Sequence, residues 1–235
     1  MMSIQQPLLQ TLLYIGLAYL GLITTFALFS NYFIYLPPKN TPFVPSDHTH
    51  QIRAGDKTIQ ASYFPNKHSK YTILYSHGNA EDLGTLQGLL EYYQHQGLSV
   101  FAYDYEGYGH SEGTPNEANT YRDIKAAYHY MQEVLKIPAH RIIVYGRSLG
   151  SGPTLYLASR QPVAGVILES PFVSAFRAVT HFPILPFDKY PNIKRIGKIN
   201  APLLIIHGKK DTIIPFWHGK KLYKKALKPK MKRNE

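Results

Sequence analysis

The stretch Arg141 to Pro153 reads Arg-Ile-Ile-Val-Tyr-Gly-Arg-Ser-Leu-Gly-Ser-Gly-Pro. Its first half, with Ile142-Ile143-Val144, has the β-branched composition of a buried strand, and Thr154 to Ser159 continues it as a helix. Between them lies Gly146-Arg147-Ser148-Leu149-Gly150, a G-x-S-x-G pentapeptide. On a sharp strand-to-helix turn this pattern holds a serine in a strained backbone conformation, and glycine is needed on both sides because a Cβ would clash with the neighbouring chain. The helix that follows turns its N-terminal N–H groups toward charge developing at the serine Oγ. The pentapeptide alone is weak; the strand before it and the helix after it give it weight.

Outward from this turn the chain alternates strands and helices. Tyr71 to Ser76, Leu98 to Tyr103, Arg141 to Tyr145, Ala164 to Leu168 and Pro202 to Ile206 are predicted strands. Leu83 to His95 is a predicted helix with Gly97 as its stop, and Thr120 with Asp123 suggests the capped start of another, whose apolar face is Ile124, Tyr128, Met131 and Leu135. His48 to Arg53 and Thr58 to Phe64, joined through Ala54-Gly55-Asp56-Lys57, read as a hairpin. Such alternation predicts an α/β fold: a mostly parallel sheet with helices on both faces and a site at the C-terminal strand ends.

Serine needs a base, an orienting carboxylate and donors for the oxyanion. Asp211, in the loop His207-Gly208-Lys209-Lys210-Asp211 after a late strand, stands where chain order puts the acid. The Leu149 N–H is one expected oxyanion donor, and the N–H of Asn79, in His77-Gly78-Asn79-Ala80, is the other. Asp104, opening Asp104 to Ser111, reads as a structural turn residue.

The composition excludes other chemistry. With no cysteine among 235 residues, disulfides, thiolate metal sites and a cysteine nucleophile are ruled out. Neither a metal-ligand cluster nor a phosphate-binding G-x-x-x-x-G-K occurs, so no metal and no cofactor are expected. The net charge of +11 is concentrated in Lys220, Lys221, Lys224, Lys225, Lys228, Lys230, Lys232 and Arg233. A solvated helix face is the first reading of this run and attraction to an anionic membrane the second; no nucleic-acid module accompanies it, so a nucleic-acid partner is not expected.

No charged side chain occurs from Met1 to Pro38, and Leu8 to Leu36 is apolar enough to span a bilayer. Residues 1–38 are therefore expected to be an uncleaved, single-pass membrane anchor and 39–235 the globular domain. Lysine and arginine begin only at Lys39 and Arg53, which predicts a cytoplasmic domain.

Taken together, His77-Gly78-Asn79-Ala80, Asp104 to Gly113, Gly146 to Gly152, Glu169-Ser170-Pro171-Phe172, Pro186-Phe187-Asp188 and His207 to Gly219 resemble the membrane-anchored α/β-hydrolase-domain serine hydrolases, relatives of the protein depalmitoylases. The resemblance implies an α/β-hydrolase fold with Ser148 as nucleophile and Asp211 as acid. It also implies a short cap around Phe172 to Ile199, with Phe172, Phe176 and Phe187 toward a small-molecule or protein-linked acyl substrate, an ester or thioester. The relatives' N-terminal cysteine cluster is absent here. Their histidine follows one further strand, about where this chain ends at Glu235, so the last strand, its helix and the histidine are expected to be missing; His218 is the candidate substitute base. A non-catalytic, membrane-tethered binding protein is the alternative.

Overall fold

The computed structural model describes residues 5–234 apart from 40, 44, 181 and 228. Met1 to Ile4 of the expected anchor, Lys228 of the basic run and Glu235 lie outside the described residues. The chain divides into two compact units, Met1–Leu36 and Pro37–Glu235.

The first unit is the helix α1 (Gln5–Ile34). Gln6 to Ile34, 29 residues with an 18-residue window that reaches a mean hydropathy of 2.0, is long and apolar enough to cross a membrane. At about 1.5 Å per residue they extend roughly 43 Å, more than the ~30 Å hydrocarbon core. The hydroxyls of Thr11, Thr24 and Thr25 donate to the carbonyls of Pro7, Leu20 and Gly21 one turn back, so these polar groups need no water.

The second unit is built on one eight-stranded sheet: β1 (Thr49–Ala54), β2 (Lys57–Phe64), β3 (Thr72–Ser76), β4 (Ser99–Tyr103), β5 (Ile142–Arg147), β6 (Gly165–Glu169), β7 (Leu203–His207) and β8 (Lys230–Asn234). The spatial order is β1-β2-β4-β3-β5-β6-β7-β8. β1 and β2 form the hairpin, closed by Gly55 (φ +67°) and Asp56 with Ala54 opposite Lys57; from β4 to β8 every pairing is parallel. β3 and β4 are buried at every position, as expected of strands covered on both faces.

The covering helices are α2 (Leu83–His95), α3 (Glu117–Glu133), α4 (Ser151–Ala158), the short α5 (Asn192–Arg195) and α6 (Trp217–Lys225). α2 starts at a capping box: Asp82 accepts the Thr85 N–H and the Thr85 hydroxyl accepts the Asp82 N–H. Its Leu83, Leu86 and Leu90 pack with Phe64, Ile73, Tyr75, Val100 and Tyr145.

Two expectations are corrected. α3 begins at Glu117, capped by Asn116, whose side chain accepts the Asn119 N–H. Thr120 and Asp123 do not cap it: the Thr120 hydroxyl bonds the Tyr190 hydroxyl, and Asp123 accepts the Glu106 N–H. The last strand, expected to be missing, is β8, paired from Leu203 with Lys230 to His207 with Asn234. A ladder is made by backbone groups, and lysine-rich composition is ordinary for a strand at a sheet's rim, where charge discourages further pairing. β7 is therefore not an open edge.

Candidate active site

β5 ends directly in Ser148, whose φ of +49° lies in the left-handed region. A serine is held there at a cost of about 1–2 kcal/mol only where its surroundings leave no alternative. Here they leave none. A Cβ on Gly146 would lie 2.5 Å from the Gly150 carbonyl oxygen and 2.6 Å from Thr154 Oγ1. A Cβ on Gly150 would lie 2.0 Å from the Ser76 oxygen and 2.8 Å from the His77 oxygen. The two glycines thus close the turn on itself and press it against the loop after β3, the loop that carries Asn79. The helical turn Ser148–Gly150 runs on into α4, and Ser151 Oγ donates to the Ser148 carbonyl at 2.7 Å.

Side chains from several elements hold the Asn79 loop. The Tyr105 hydroxyl donates to the His77 carbonyl at 2.8 Å and the Tyr108 hydroxyl to Asn79 Oδ1 at 2.7 Å. The Gly78 N–H donates to Glu81 Oε2 at 2.7 Å. His77 is fully buried; burial pushes its pKa down to about 4, against the opposing pull of the Gly78 carbonyl and Asp82, so the ring is neutral near pH 7. Asp104, also buried, accepts the Leu83 N–H, and its carboxyl is held well above the usual range by burial. The Asp104–His110 turn folds onto it: a Cβ on Gly109 (φ +50°) would lie 2.1 Å from Asp104 Oδ2. Both residues shape the site from behind.

Arg147, the variable residue before the serine, forms a bridge that the motif does not announce. Its guanidinium pairs with Glu81 Oε1 and lies 3.4 Å from Glu169 Oε1. The Tyr145 hydroxyl donates to the other Glu169 oxygen at 2.5 Å. Arg147 thus links the turn both to the end of β6 and, through Glu81, to the Gly78 N–H.

Asp211 follows β7. Partial burial raises its pKa, but the Ser170 hydroxyl at 2.7 Å, the N–H groups of Ile214 and Ile213 and the nearby His207 outweigh it, leaving the carboxyl below its usual value. Ser170 itself, directly after β6, has a φ of +45°. His207 Nε2 donates to the Ile214 carbonyl at 2.7 Å and lies 3.7 Å from Asp211 Oδ2. His218, fully buried in the first turn of α6, accepts the Val173 N–H on Nδ1 at 3.1 Å. Among the described residues no histidine ring bonds the Ser148 hydroxyl.

The segment after Phe172 is tied down by Asp188, which accepts from the Ser174 hydroxyl and from the N–H groups of Phe176 and Lys189. Phe176 and Phe187 stand edge to face at 5.9 Å, whereas Phe172 is buried against Tyr190 at 6.1 Å. Tyr190 lays its ring on Gly152, where a Cβ would meet it at 2.3 Å, and its hydroxyl reaches Thr120 at 2.8 Å. Sequence reasoning missed Tyr190; the glycine in the first turn of α4 was the signal.

A family model described as "Serine aminopeptidase, S33" matches residues 67–187. Alpha/beta hydrolase domain-containing protein 17C of Xenopus tropicalis is 44% identical over 166 residues, 67% of this chain and 52% of its own length. Human alpha/beta hydrolase domain-containing protein 17B is 42% identical over 166 residues, 68% and 57% respectively. The chain therefore spans about half the length of the curated relatives it matches. Among solved structures, an esterase from Pyrococcus furiosus superposes with a TM-score of 0.71 at 18% identity, over 86% of this chain and 89% of that one. An alpha-beta serine hydrolase homologue from Coxiella burnetii gives 0.64 at 19%, over 83% and 89%. At these identities the likeness speaks for the fold alone, an α/β-hydrolase fold.

Proposed function

Because the chain belongs to the serine aminopeptidase S33 family of serine hydrolases, we propose that it hydrolyses carboxylic esters or thioesters through an acyl-Ser148 intermediate. The observation that carries this reading is Ser148 held at φ +49° between two glycines that tolerate no Cβ. A turn that only reversed the chain would relax by placing glycine at the strained position; keeping serine there serves its hydroxyl. In the reaction Ser148 Oγ attacks the acyl carbonyl and its proton passes to a base. The N–H groups of Leu149 and Asn79 receive the oxyanion, the alcohol or thiol leaves with a proton, and water then releases the acid. Asp211, held ionised by its three donors, orients and stabilises the protonated base. His218 is the candidate for that base, and Phe176 and Phe187 for the wall beside the acyl chain.

The domain assignment proposed is a membrane anchor at 1–38 and a hydrolase domain at 39–235, the latter on the cytoplasmic side as a single-pass protein. The curated relatives' likeness makes a membrane-associated, lipid-like or protein-linked acyl substrate the class to test first. A second reading, a membrane-tethered binding protein that keeps the pocket without turnover, is favoured by one observation: no described histidine ring bonds Ser148.

Labelling of the full chain with a fluorophosphonate, alongside turnover of a short p-nitrophenyl ester, separates the two. The hydrolase reading expects labelling and turnover that disappear in Ser148→Ala and fall in His218→Gln. A folded protein that binds acyl ligands but neither labels nor turns over replaces it with the binding reading.

A further inference from the structure

The lysines near the end of the chain have no part in the chemistry above. Between His207 and Asn234 lie ten of the chain's 26 lysines and arginines, against one acid, Asp211. α6 sorts them cleanly: Leu222, His218 and Gly219 are buried, while Lys220, Lys221, Lys224 and Lys225 share the opposite, exposed arc. Like charges one helical turn apart, here 220 with 224 and 221 with 225, destabilise a helix. Among the described residues none of these four, nor Lys209 or Lys210, makes an ion pair. Arg122, Arg147 and Arg195, by contrast, all pair with glutamates. An ordinary solvated helix face intersperses the two signs; this one has a single sign.

The surface extends beyond α6 and acquires apolar points. Lys220 and Lys232 both stand over the Phe216 ring, at 5.9 and 4.6 Å from its centroid, joining α6 to β8. Arg177 lies 5.4 Å above the ring of Trp217, joining α6 to the segment after Phe172. On that segment Val179 and Phe182 are 88% and 77% exposed, and in the Asp211 loop Ile213 is 78% exposed. Protruding apolar side chains beside a lysine field match the two layers of a bilayer surface, anionic headgroups and the acyl boundary beneath. Nucleic acid would use the lysines but give Val179 and Ile213 nothing to enter.

We propose that the face made by α6, the Asp211 loop and the adjoining Val179 and Phe182 docks on an anionic lipid surface. The choice of lipid rests on the membrane-spanning reading of α1 proposed above. The lysines meet headgroup phosphates, and Ile213, Val179 and Phe182 enter the acyl boundary. Docked this way, the loop bearing Asp211 lies at the interface, where a membrane-resident acyl chain is within reach.

The test uses the full chain in lipid nanodiscs, either phosphatidylcholine alone or with 30% phosphatidylserine, and reads lysine acetylation by a water-soluble reagent site by site. The expected result is acetylation of Lys220, Lys221, Lys224 and Lys225 slowed about tenfold in the anionic discs, with the protection lost in 0.5 M salt. Lys67 and Lys136, exposed at the opposite ends of the strands, should react alike in both discs. Ile213→Asp should weaken the protection without altering the circular dichroism. Equal acetylation of the α6 lysines in the two discs overturns the proposal, as does stronger protection by an RNA oligonucleotide than by the anionic discs. Alkaline extraction from the phosphatidylcholine discs reads α1 separately: release there overturns the anchor, while the lysine readout in anionic discs still decides the surface.

Discussion

Around Ser148 the constraints are backbone contacts that leave no space for a single carbon, whereas around Asp211 they are hydrogen bonds on a loop whose neighbours Thr212 and Ile213 face solvent. Ser148 is placed by backbone contacts and cannot drift; Asp211 is placed by donors that can be removed one at a time. An arrangement of this kind can keep a complete nucleophile turn while the rest of the site varies. The conformation of Ser148 is therefore separable from the placement of Asp211, and each has its own way of failing.

The difference is sharpest in two glycines. Gly150→Ala puts a Cβ 2.0 Å from the Ser76 oxygen, a backbone atom of a buried strand that cannot move aside. It should cost about 3 kcal/mol or more, seen as a collapse of the melting temperature or of soluble yield. Gly208→Ala, in the Asp211 loop, would find Asp211 Cβ and N at 3.8 Å, ordinary contact distance. Its thermal melt should move by less than about 0.5 kcal/mol. Similar effects at the two positions would break the contrast.

Two carboxylates carry the contrast into pH. Asp123 lies under the Asp104–Glu112 turn, and burial pushes its pKa up to about 8, with the Glu106 N–H opposing and the Glu106 charge reinforcing. A folded pKa above the unfolded one means stability present at low pH and lost as pH rises toward 8. Wild type should lose about 2 kcal/mol between pH 5 and 7 from this group, and Asp123→Asn should remove that slope in urea melts. For Asp211 the sign is reversed. Its pKa is depressed, so its contribution is present above the ordinary carboxylate value near 3.8 and fades as pH falls through the folded value. Asp211→Asn should be the less stable protein at pH 7, by less than the Asp123 effect because Asp211 keeps contact with water. The gap should narrow as pH falls below about 3.8 and through the folded value, and a gap that does not narrow there would contradict the depressed pKa.

Arg147 braces the loop that carries Asn79 from both Glu81 and Glu169. Its side chain is 42% exposed, so removing its ion pairs in Arg147→Met should cost no more than about 1 kcal/mol of global stability. The local effect should be larger: amide exchange at Gly78 and Asn79 should accelerate about tenfold while β3 and β5 keep their protection, because Glu81 loses the cation that holds it on the Gly78 N–H. Unchanged exchange at Gly78 would show that the loop stands without the bridge.

What could be read from the chain follows the range of the forces. The serine turn was legible because its requirements fall within five residues, Gly146 to Gly150, and are steric. Strands β3 to β7 were legible because burial on both faces leaves continuous apolar runs. The start of α3 was misplaced because Thr120, which has the right chemistry for a cap, spends its hydroxyl on Tyr190, 70 residues away. The Arg147–Glu81 pair likewise joins residues 66 apart, and nothing local marks either partner. β8 was hidden because Lys-Met-Lys-Arg-Asn carries no apolar alternation; the strand exists through backbone pairing with β7.

The smallest expected effect isolates the strain at Ser148 itself. At an ordinary helical position glycine is about 1 kcal/mol worse than alanine, because it gives up more freedom on folding. At Ser148 the backbone sits at φ +49°, where a Cβ costs about 1–2 kcal/mol and glycine costs nothing. The two terms oppose each other, so Ser148→Gly should be as stable as Ser148→Ala or more stable by about 0.5 kcal/mol, inverting the usual order. Both variants lack the hydroxyl, so the comparison is one of backbone conformation alone and needs only paired thermal melts. An alanine variant clearly more stable than the glycine variant would mean that the turn relaxes when the hydroxyl goes, and that backbone contacts alone do not hold the strained serine in place.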